Sequence, residues 1–291
     1  MACKKENAQV PETDSKSEGH TAGKDPYWVE ALAQGLDVLK AFDSERPALT
    51  LSEVAGKLGW NRTKPFRFLH TLEKLGYLTR DESGRAFRLT SLSMQLGFAY
   101  LNRIPLVERA QPVLDRLRTE VSASVHMGLL EGKELIYVAQ ARMEQPTAIN
   151  INVGSRLPAY ATSIGRALLA YKSDAELNEI IGTGPLSTWT HKSIVDPLVL
   201  RRSLAVARER GFVFSDEEFH VGIRSIAAPI FDAQGRAVAG VNATGSTYVF
   251  TDDRIQAEIV PAVRAAANEL SRGLGYFASD LQPADPPSET P

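Results

Sequence analysis

The region that most constrains the fold is residues 50–90, where two short helical patterns precede an apolar, basic hairpin pattern. The first helical pattern opens with Thr50 and Glu53, which have the spacing of a capping box, and it stops at a glycine. The second carries Pro65 in its first turn and ends before Gly76. Two short strands then flank the turn sequence DESG. This order predicts a winged helix-turn-helix domain.

The second helix of this region has an apolar repeat of helical period. We expect its buried stripe to consist of Phe66, Leu69, Leu72 and Leu75. A preceding helical pattern includes Leu32 and Leu36, so the first domain is predicted to cover residues 27–90.

Basic residues are concentrated in this domain although the whole chain has a net charge of −2. Residues 61–90 contain seven Lys or Arg and three acidic residues, which predicts a local DNA-contacting face. The early side chains of a recognition helix meet base edges, and here these are Arg62, Thr63, Lys64 and Arg67. The predicted phosphate contacts are Lys74, Arg80, Arg85 and Arg88. A module of the same fold that binds a protein is the alternative.

The remaining chain is predicted to form a second domain and two tails. Residues 1–26 and 275–291 are polar and are expected to be disordered. Residues 91–104 are predicted to form a linker helix that ends at Pro105. Residues 105–274 mix helical patterns with short apolar runs, including one at 148–153, which predicts an α+β domain around an antiparallel sheet.

Composition excludes several classes of protein. Cys3 is the single cysteine, which excludes an intramolecular disulfide and a multi-cysteine metal site. No apolar run approaches the roughly 18 residues of a membrane helix, and the N-terminus lacks a signal core. We therefore expect a cytoplasmic protein without metal or cofactor.

The most informative segment of the second domain is residues 153–170, VGSRLPAYATSIGRALLA. Thr162 or Ser163 can cap the helix that follows. The amides and dipole of such a helix terminus can hold a carboxylate, whereas the alternative is a plain helix cap.

Residue types suited to hydrolysis are present in the second domain, among them Ser163, His126, His191 and His220. The sequence has no nucleophile elbow, phosphate loop or H-E-x-x-H motif. We therefore predict no catalytic residues. The rival hypothesis is an enzyme or ligand-storage protein for a small carboxylic acid, with a vestigial DNA-binding head.

Taken together, these segments resemble the IclR family of transcriptional regulators. ALAQGLDVLKAF, LTLSEVAGKLG and FRFLHTLEKLGYL are similar to the family's DNA-binding domain, and VGSRLPAYATSIGRALLA and DEEFHVGIRSIAAPIFD to its effector-binding domain. The resemblance covers about residues 28–274. LNRIPLVERAQPVLDRL further resembles the pca/pob-type branch, which governs protocatechuate and 4-hydroxybenzoate breakdown through the β-ketoadipate pathway.

The resemblance implies a GAF-like effector domain, a small carboxylic acid effector, and dimers that pair through the DNA-binding domains and often form tetramers. It implies that the effector contacts the loop at Ala161, Thr162, Ser163 and Ile164. The other matching pocket positions are Ile149, Leu157, Ser215, Ser225, Asn242 and Thr244. Tyr160 and His126 are further candidate contacts to a ring or hydroxyl group.

One feature departs from the branch pattern, because Lys64-Pro65 replaces a small or β-branched pair at the start of the recognition helix. The operator sequence therefore cannot be transferred from relatives. The leading hypothesis is a transcription factor, more often an activator than a repressor in this branch, that responds to an aromatic or dicarboxylic acid.

Overall fold

The computed structural model describes residues 26–43, 46–101, 105–143 and 151–277. These residues form two compact units that separate between residues 103 and 104. Within these ranges, no helix combines the length and apolar character needed to cross a membrane.

The N-terminal unit combines helices with a small antiparallel sheet. Its elements are α1 (Glu30–Lys40), β1 (Ala48–Thr50), α2 (Leu51–Lys57), α3 (Lys64–Lys74), β2 (Leu78–Arg80), β3 (Ala86–Leu89) and α4 (Leu92–Leu101). The strand order is β1-β3-β2. Val38, Leu49, Val54, Leu69 and Phe87 are buried at its centre.

Local signals in the sequence fix the ends of α2. The Thr50 hydroxyl accepts a hydrogen bond from the Glu53 amide, and the Glu53 carboxylate accepts one from the Thr50 amide at 2.7 Å, so the predicted capping box forms. Gly59 then adopts a φ of +65°, a left-handed conformation that glycine tolerates best, and the chain turns towards α3.

Two details of this unit differ from the sequence-based prediction. The prediction of a four-residue buried stripe on α3 was wrong, because Phe66 and Leu75 are 53% and 59% exposed while Pro65 joins Leu69 and Leu72 in the core. Strand β1 was also not anticipated. Its three residues are too few to show an alternating pattern, and pairing with β3 determines their conformation.

The C-terminal unit is built on a six-stranded antiparallel sheet of order β6-β5-β4-β9-β8-β7. The strands are β4 (Ser124–Glu131), β5 (Glu134–Ala141), β6 (Arg156–Pro158), β7 (Val213–Asp216), β8 (Ile223–Phe231) and β9 (Ala237–Ser246). The helices are α5 (Pro105–Val121), α6 (Ser163–Leu169), α7 (Asp174–Ile181), α8 (Pro197–Arg210), α9 (Asp252–Arg254) and α10 (Val260–Gly273).

Two segments of this unit show how tertiary contacts modify a local pattern. The apolar run at 148–153 does not continue as a strand at 151–153, and its first three residues lie outside the described ranges. The short strand of this region is β6 instead, whose Leu157 pairs with Leu135 of β5. The final helical segment includes a π-helical stretch, Ile255–Ile259, between α9 and α10.

Helix α6 packs closely against the segment that precedes it. A 3₁₀ turn, Ala159–Ala161, leads into α6, and a side chain at Gly165 would place its Cβ 2.1 Å from the Ala159 carbonyl oxygen. Glycine at this position therefore allows the turn to lie directly against the first turn of α6.

Candidate functional site

Helix α3 presents a polar face opposite its buried side. Thr63, which precedes the helix, and Arg67, His70 and Lys74 are exposed at spacings of three and four residues and so share one face. Their functional groups are those that contact bases and phosphates. His70, whose ring stacks on Phe66 at 6.2 Å, was not among the predicted contacts because its apolar neighbours obscured its exposure.

The start of α3 is held by packing as well as by hydrogen bonds. The Asn61 carboxamide oxygen accepts hydrogen bonds from the Lys64 amide and the Thr63 hydroxyl at 3.0 and 3.2 Å. The Lys64 ammonium lies 4.3 Å from the centroid of the Trp60 ring. Lys64 is thus half-buried in a cation–π contact, whereas Arg62 and Arg67 remain exposed.

Arg80 has a structural role within the hairpin of β2 and β3. Its Nε and Nη2 donate to Glu73 at 2.9 and 3.3 Å, and its Nη1 donates to the Gly84 carbonyl at 2.9 Å. Its guanidinium also lies 4.5 Å from the Phe87 ring centroid. Among the predicted phosphate contacts, Arg80 is therefore largely occupied, while Lys74, Arg85 and Arg88 are exposed.

Asp81 shapes the tip of the same hairpin. Its carboxylate accepts hydrogen bonds from the Ala86 and Arg85 amides and from the Ser83 hydroxyl. The Ala86 amide and then the Ser83 hydroxyl are the main reasons that the pKa of Asp81 lies below its usual value. The turn is therefore ordered by its own acid, and it carries Arg85 outward.

The C-terminal unit contains a cavity at the start of α6, over strands β7, β8 and β9. It encloses about 390 Å³ of empty space, part of it open to solvent. The described residues that line it are Tyr137, Ile151, Ala161, Thr162, Ser163, Ser215, Phe219, His220, Ile223, Ser225, Asn242 and Thr244. We call this the α6 cavity. Its lining combines apolar side chains with hydroxyl and amide groups, as in small-molecule sites.

The polar groups of the α6 cavity form one buried network. The Asn242 Nδ2 lies 3.2, 3.0 and 3.0 Å from the hydroxyls of Ser163, Ser225 and Thr244. The Ser225 hydroxyl is also 2.8 Å from that of Ser163 and 3.1 Å from that of Thr244. The three hydroxyls come from α6, β8 and β9, so the network joins separate elements at the cavity wall.

His126 supports this network from strand β4. Its amide and its ring Nδ1 both lie 3.2 Å from the Asn242 Oδ1, which accepts only, so Nδ1 must carry the hydrogen. Burial lowers the pKa of His126 to about 4, against the opposing effect of the hydrogen bond with Asn242. The ring is therefore neutral near pH 7 and directs the Asn242 Nδ2 towards the hydroxyls.

The start of α6 contributes backbone as well as side chains to the cavity. The Thr162 hydroxyl accepts from the Gly165 amide at 3.1 Å and thereby caps the helix. The amides of Ser163 and Ile164 belong to the first turn, where no helical carbonyl is available to them. Thr162 and Ser163 thus differ, because Thr162 is the cap and the Ser163 hydroxyl belongs to the buried network.

Several predicted pocket residues lie near the α6 cavity without lining it. Leu157 and Ile164 are buried in the adjoining apolar core, and His126 lies behind Asn242. The Tyr160 hydroxyl accepts a hydrogen bond from the Ser187 amide at 3.2 Å. Ile149 lies outside the described residues. Ala161, Thr162, Ser163, Ser215, Ser225, Asn242 and Thr244 all line the cavity.

The sequence did not indicate the other lining residues, of which Phe219 and His220 come from the loop between β7 and β8. The Thr190 hydroxyl donates to the Glu217 carbonyl at 2.7 Å, and the Ser193 hydroxyl donates to the Glu218 carbonyl at 2.7 Å. The Nη1 of Arg166, a residue of α6, also lies 2.7 Å from the Glu218 carboxylate. These long-range contacts have no local sequence signature, although the aromatic–polar run DEEFH could have suggested the loop.

Comparisons with known proteins find a matching family model for each of the two units. The family model described as the IclR helix-turn-helix domain matches residues 31–82, and that described as Bacterial transcriptional regulator IclR C-terminal matches residues 98–272. The chain belongs to the IclR family. It is therefore a DNA-binding transcriptional regulator and not an enzyme, and its α+β C-terminal unit is the effector-binding domain, as predicted.

Individual relatives show which members of the IclR family this protein resembles in sequence and fold. The Pca regulon regulatory protein of Pseudomonas putida is 37% identical over 251 residues, which cover 86% of each chain. The p-hydroxybenzoate hydroxylase transcriptional activator of Acinetobacter baylyi is 32% identical over 84% of this chain and 91% of that protein. An IclR homologue from Microbacterium hydrocarbonoxydans, solved in complex with 4-hydroxybenzoate, has a TM-score of 0.73 and 25% identity, covering 84% of this chain and 98% of that one.

Proposed function

We propose that this protein activates genes for aromatic-acid breakdown in the cytoplasm when a small aromatic monocarboxylate occupies the α6 cavity. The main support is the lining of the cavity, which contains no Lys or Arg among the described residues. One carboxylate can be held by the first-turn amides of α6 and by the hydroxyl network. A second carboxylate would have no Lys or Arg to pair with among these residues.

The apolar part of the lining suits an aromatic ring. Tyr137, Phe219, Ile151 and Ile223 supply the aromatic and aliphatic surface against which such a ring can pack. 4-Hydroxybenzoate and protocatechuate therefore fit better than the dicarboxylate β-ketoadipate. The names of the Pca and p-hydroxybenzoate relatives, and the ligand of the Microbacterium structure, support this class.

Ligand binding would be tested by calorimetry with 4-hydroxybenzoate on the full chain. Ser163→Leu fills the cavity and removes one hydroxyl, so we expect binding to weaken by at least about tenfold. Ser163 is a better choice than Thr162, because loss of the Thr162 cap would also destabilise α6 by about 1 kcal/mol.

Ser187→Leu is the matched control, since Ser187 is exposed beside Tyr160 and does not line the cavity. It should bind normally, and both variants should still bind operator DNA selected from a random pool. Unchanged affinity in Ser163→Leu, with Ser225→Val also unchanged, would remove the α6 cavity as the effector site.

The exposed apolar surface of the N-terminal unit favours a homodimer. Leu32, Leu36, Leu75 and Leu96 are 45–63% exposed and line one groove with about 1760 Å³ of empty space, part of it open to solvent. Exposed apolar patches of this kind mark interaction surfaces. We propose that a second copy covers these four leucines and leaves Thr63 and Arg67, which also line the groove, to the DNA. The dimer would also supply the two reading heads that helix-turn-helix proteins use. Sedimentation of Leu32→Lys should show loss of the dimer, and an unchanged dimer would contradict this assignment.

A further inference from the structure

A second cavity in the C-terminal unit lies between α8 and the beginning of β7. It encloses about 900 Å³ of empty space, part of it open to solvent, and shares no lining residue with the α6 cavity. We call it the α8 cavity. The structure shows two features of this cavity that the effector proposal does not use.

The first feature is an excess of positive charge. Arg166, Arg202 and Arg210 line the cavity, and no Asp or Glu does among the described residues. Arg202 and Arg210 are eight residues apart on α8, about 12 Å along the axis and on the same side of the helix. Neither forms an ion pair within the described chain. By contrast, Arg201 on another side of the helix contacts Asp174 at 3.9 Å.

The second feature is the guanidinium of Arg166, a residue that is only 3% exposed. Its Nη1 pairs with Glu218, but its Nε and Nη2 are buried without a hydrogen-bond acceptor in the described part of the chain. Buried polar groups nearly always have a partner, and an arginine has five donors to satisfy. Arg166 also lines this cavity, so a ligand there would lie beside a guanidinium whose donors are not all satisfied.

The remaining walls are apolar and partly exposed. Val199, Val206 and Phe214 are 39%, 42% and 37% exposed, so hydrocarbon surface lies between the cationic groups. A ligand that matches the arginines and the apolar walls has a short carbon chain and an anionic group at each end. We propose that the α8 cavity is a second ligand site, and that it binds an aliphatic dicarboxylate.

The two cavities would therefore divide the acids by charge. The α6 cavity has amides and hydroxyls for one carboxylate, whereas the α8 cavity has arginines for two. Carboxylates bind arginine through paired, charge-assisted hydrogen bonds, which gives Arg202 and Arg210 the larger part of the affinity. The second site does not depend on which acid occupies the α6 cavity.

Calorimetry with adipate on the full chain at fixed ionic strength tests the proposal. We expect saturable binding, weakened about tenfold or more by Arg202→Gln or Arg210→Gln. Both residues are exposed, so these variants should fold normally. Arg208→Gln is the matched control, because Arg208 is on the same helix but lies 5.5 Å from the Tyr171 ring and does not line the cavity. It should bind adipate as the unmodified chain does.

Two further titrations separate this site from the effector site and from general anion binding. Ser163→Leu should retain adipate binding, and hexanoate should bind about tenfold or more weakly than adipate. Adipate binding that is lost in Ser163→Leu and retained in Arg202→Gln would place it in the α6 cavity and overturn the proposal. Sulfate binding as tight as adipate, equal losses in Arg202→Gln and Arg208→Gln, or no binding at about 10 mM adipate would each overturn it as well.

Discussion

The two units of this regulator place the same side chain in opposite surroundings. Arg67 of the N-terminal unit is exposed on the polar face of α3, whereas Arg166 of the C-terminal unit is 3% exposed and paired with Glu218. An exposed cation has little effect on folding but is available to a partner, while a buried cation depends on its acid. The comparison indicates that Arg67 is available for binding, whereas Arg166 contributes to the internal organisation of the C-terminal unit.

The largest expected effect tests the buried side of this comparison. Arg166→Met leaves the Glu218 carboxylate without its buried cation, so the free energy of unfolding should fall by about 3–5 kcal/mol. Urea unfolding of the full chain measures it. The double variant Arg166→Met/Glu218→Gln should recover part of the loss, because no unpaired charge remains. A single variant as stable as the unmodified chain would show that the pair is not structural.

The next effect concerns His126 and pH. The unfolded chain binds a proton at His126 near pH 6.5, but the folded chain does so only at about 4. The contribution of the neutral ring to the free energy of unfolding is therefore present above pH 6.5 and is lost as the pH falls. The loss is about 2 kcal/mol between pH 7 and pH 5. Urea unfolding at both pH values measures this loss. His126→Gln removes the titrating group, so its loss should be smaller by that amount. Equal pH dependence in the two proteins would contradict the buried neutral ring.

The third effect tests the exposed side. Arg67→Ala should weaken operator binding by about 1–3 kcal/mol per half-site, since a bidentate contact to a base has that value. A gel-shift titration at fixed salt measures it, with Lys40→Ala at the end of α1 as the control. The free energy of unfolding of Arg67→Ala, measured in urea, should stay within about 0.5 kcal/mol of that of the unmodified chain. A large loss of stability with normal DNA affinity would show that Arg67 is structural and does not contact the operator.

The sequence predicted the N-terminal unit well because its signals are local. The Thr50–Glu53 capping box, the glycine turns and the hairpin sequence each act over a few residues. The errors arose where partners outside the segment decide burial. Phe66 and Leu75 have the period of a buried stripe but lie on the surface, and strand β1 depends on its pairing with β3.

The C-terminal unit could be predicted only in part. The start of α6 was identified from Thr162 and Ser163, and the resemblance indicated Ser225, Asn242 and Thr244 at the same cavity. The contribution of Phe219 and His220 to the lining was missed, because residues 25 or more positions away hold that loop in place. The orientation of Asn242 likewise depends on His126, which is 116 residues distant in the chain.

The uncovered groove of the N-terminal unit has a consequence for the dose response of the regulator. If two copies must meet before either reads its operator, promoter occupancy at low abundance rises with the square of the number of copies in the cell. Doubling the expression of the gene would then increase occupancy about fourfold. The abundance of the protein thus becomes a second input to the genetic circuit, alongside its small-molecule effector.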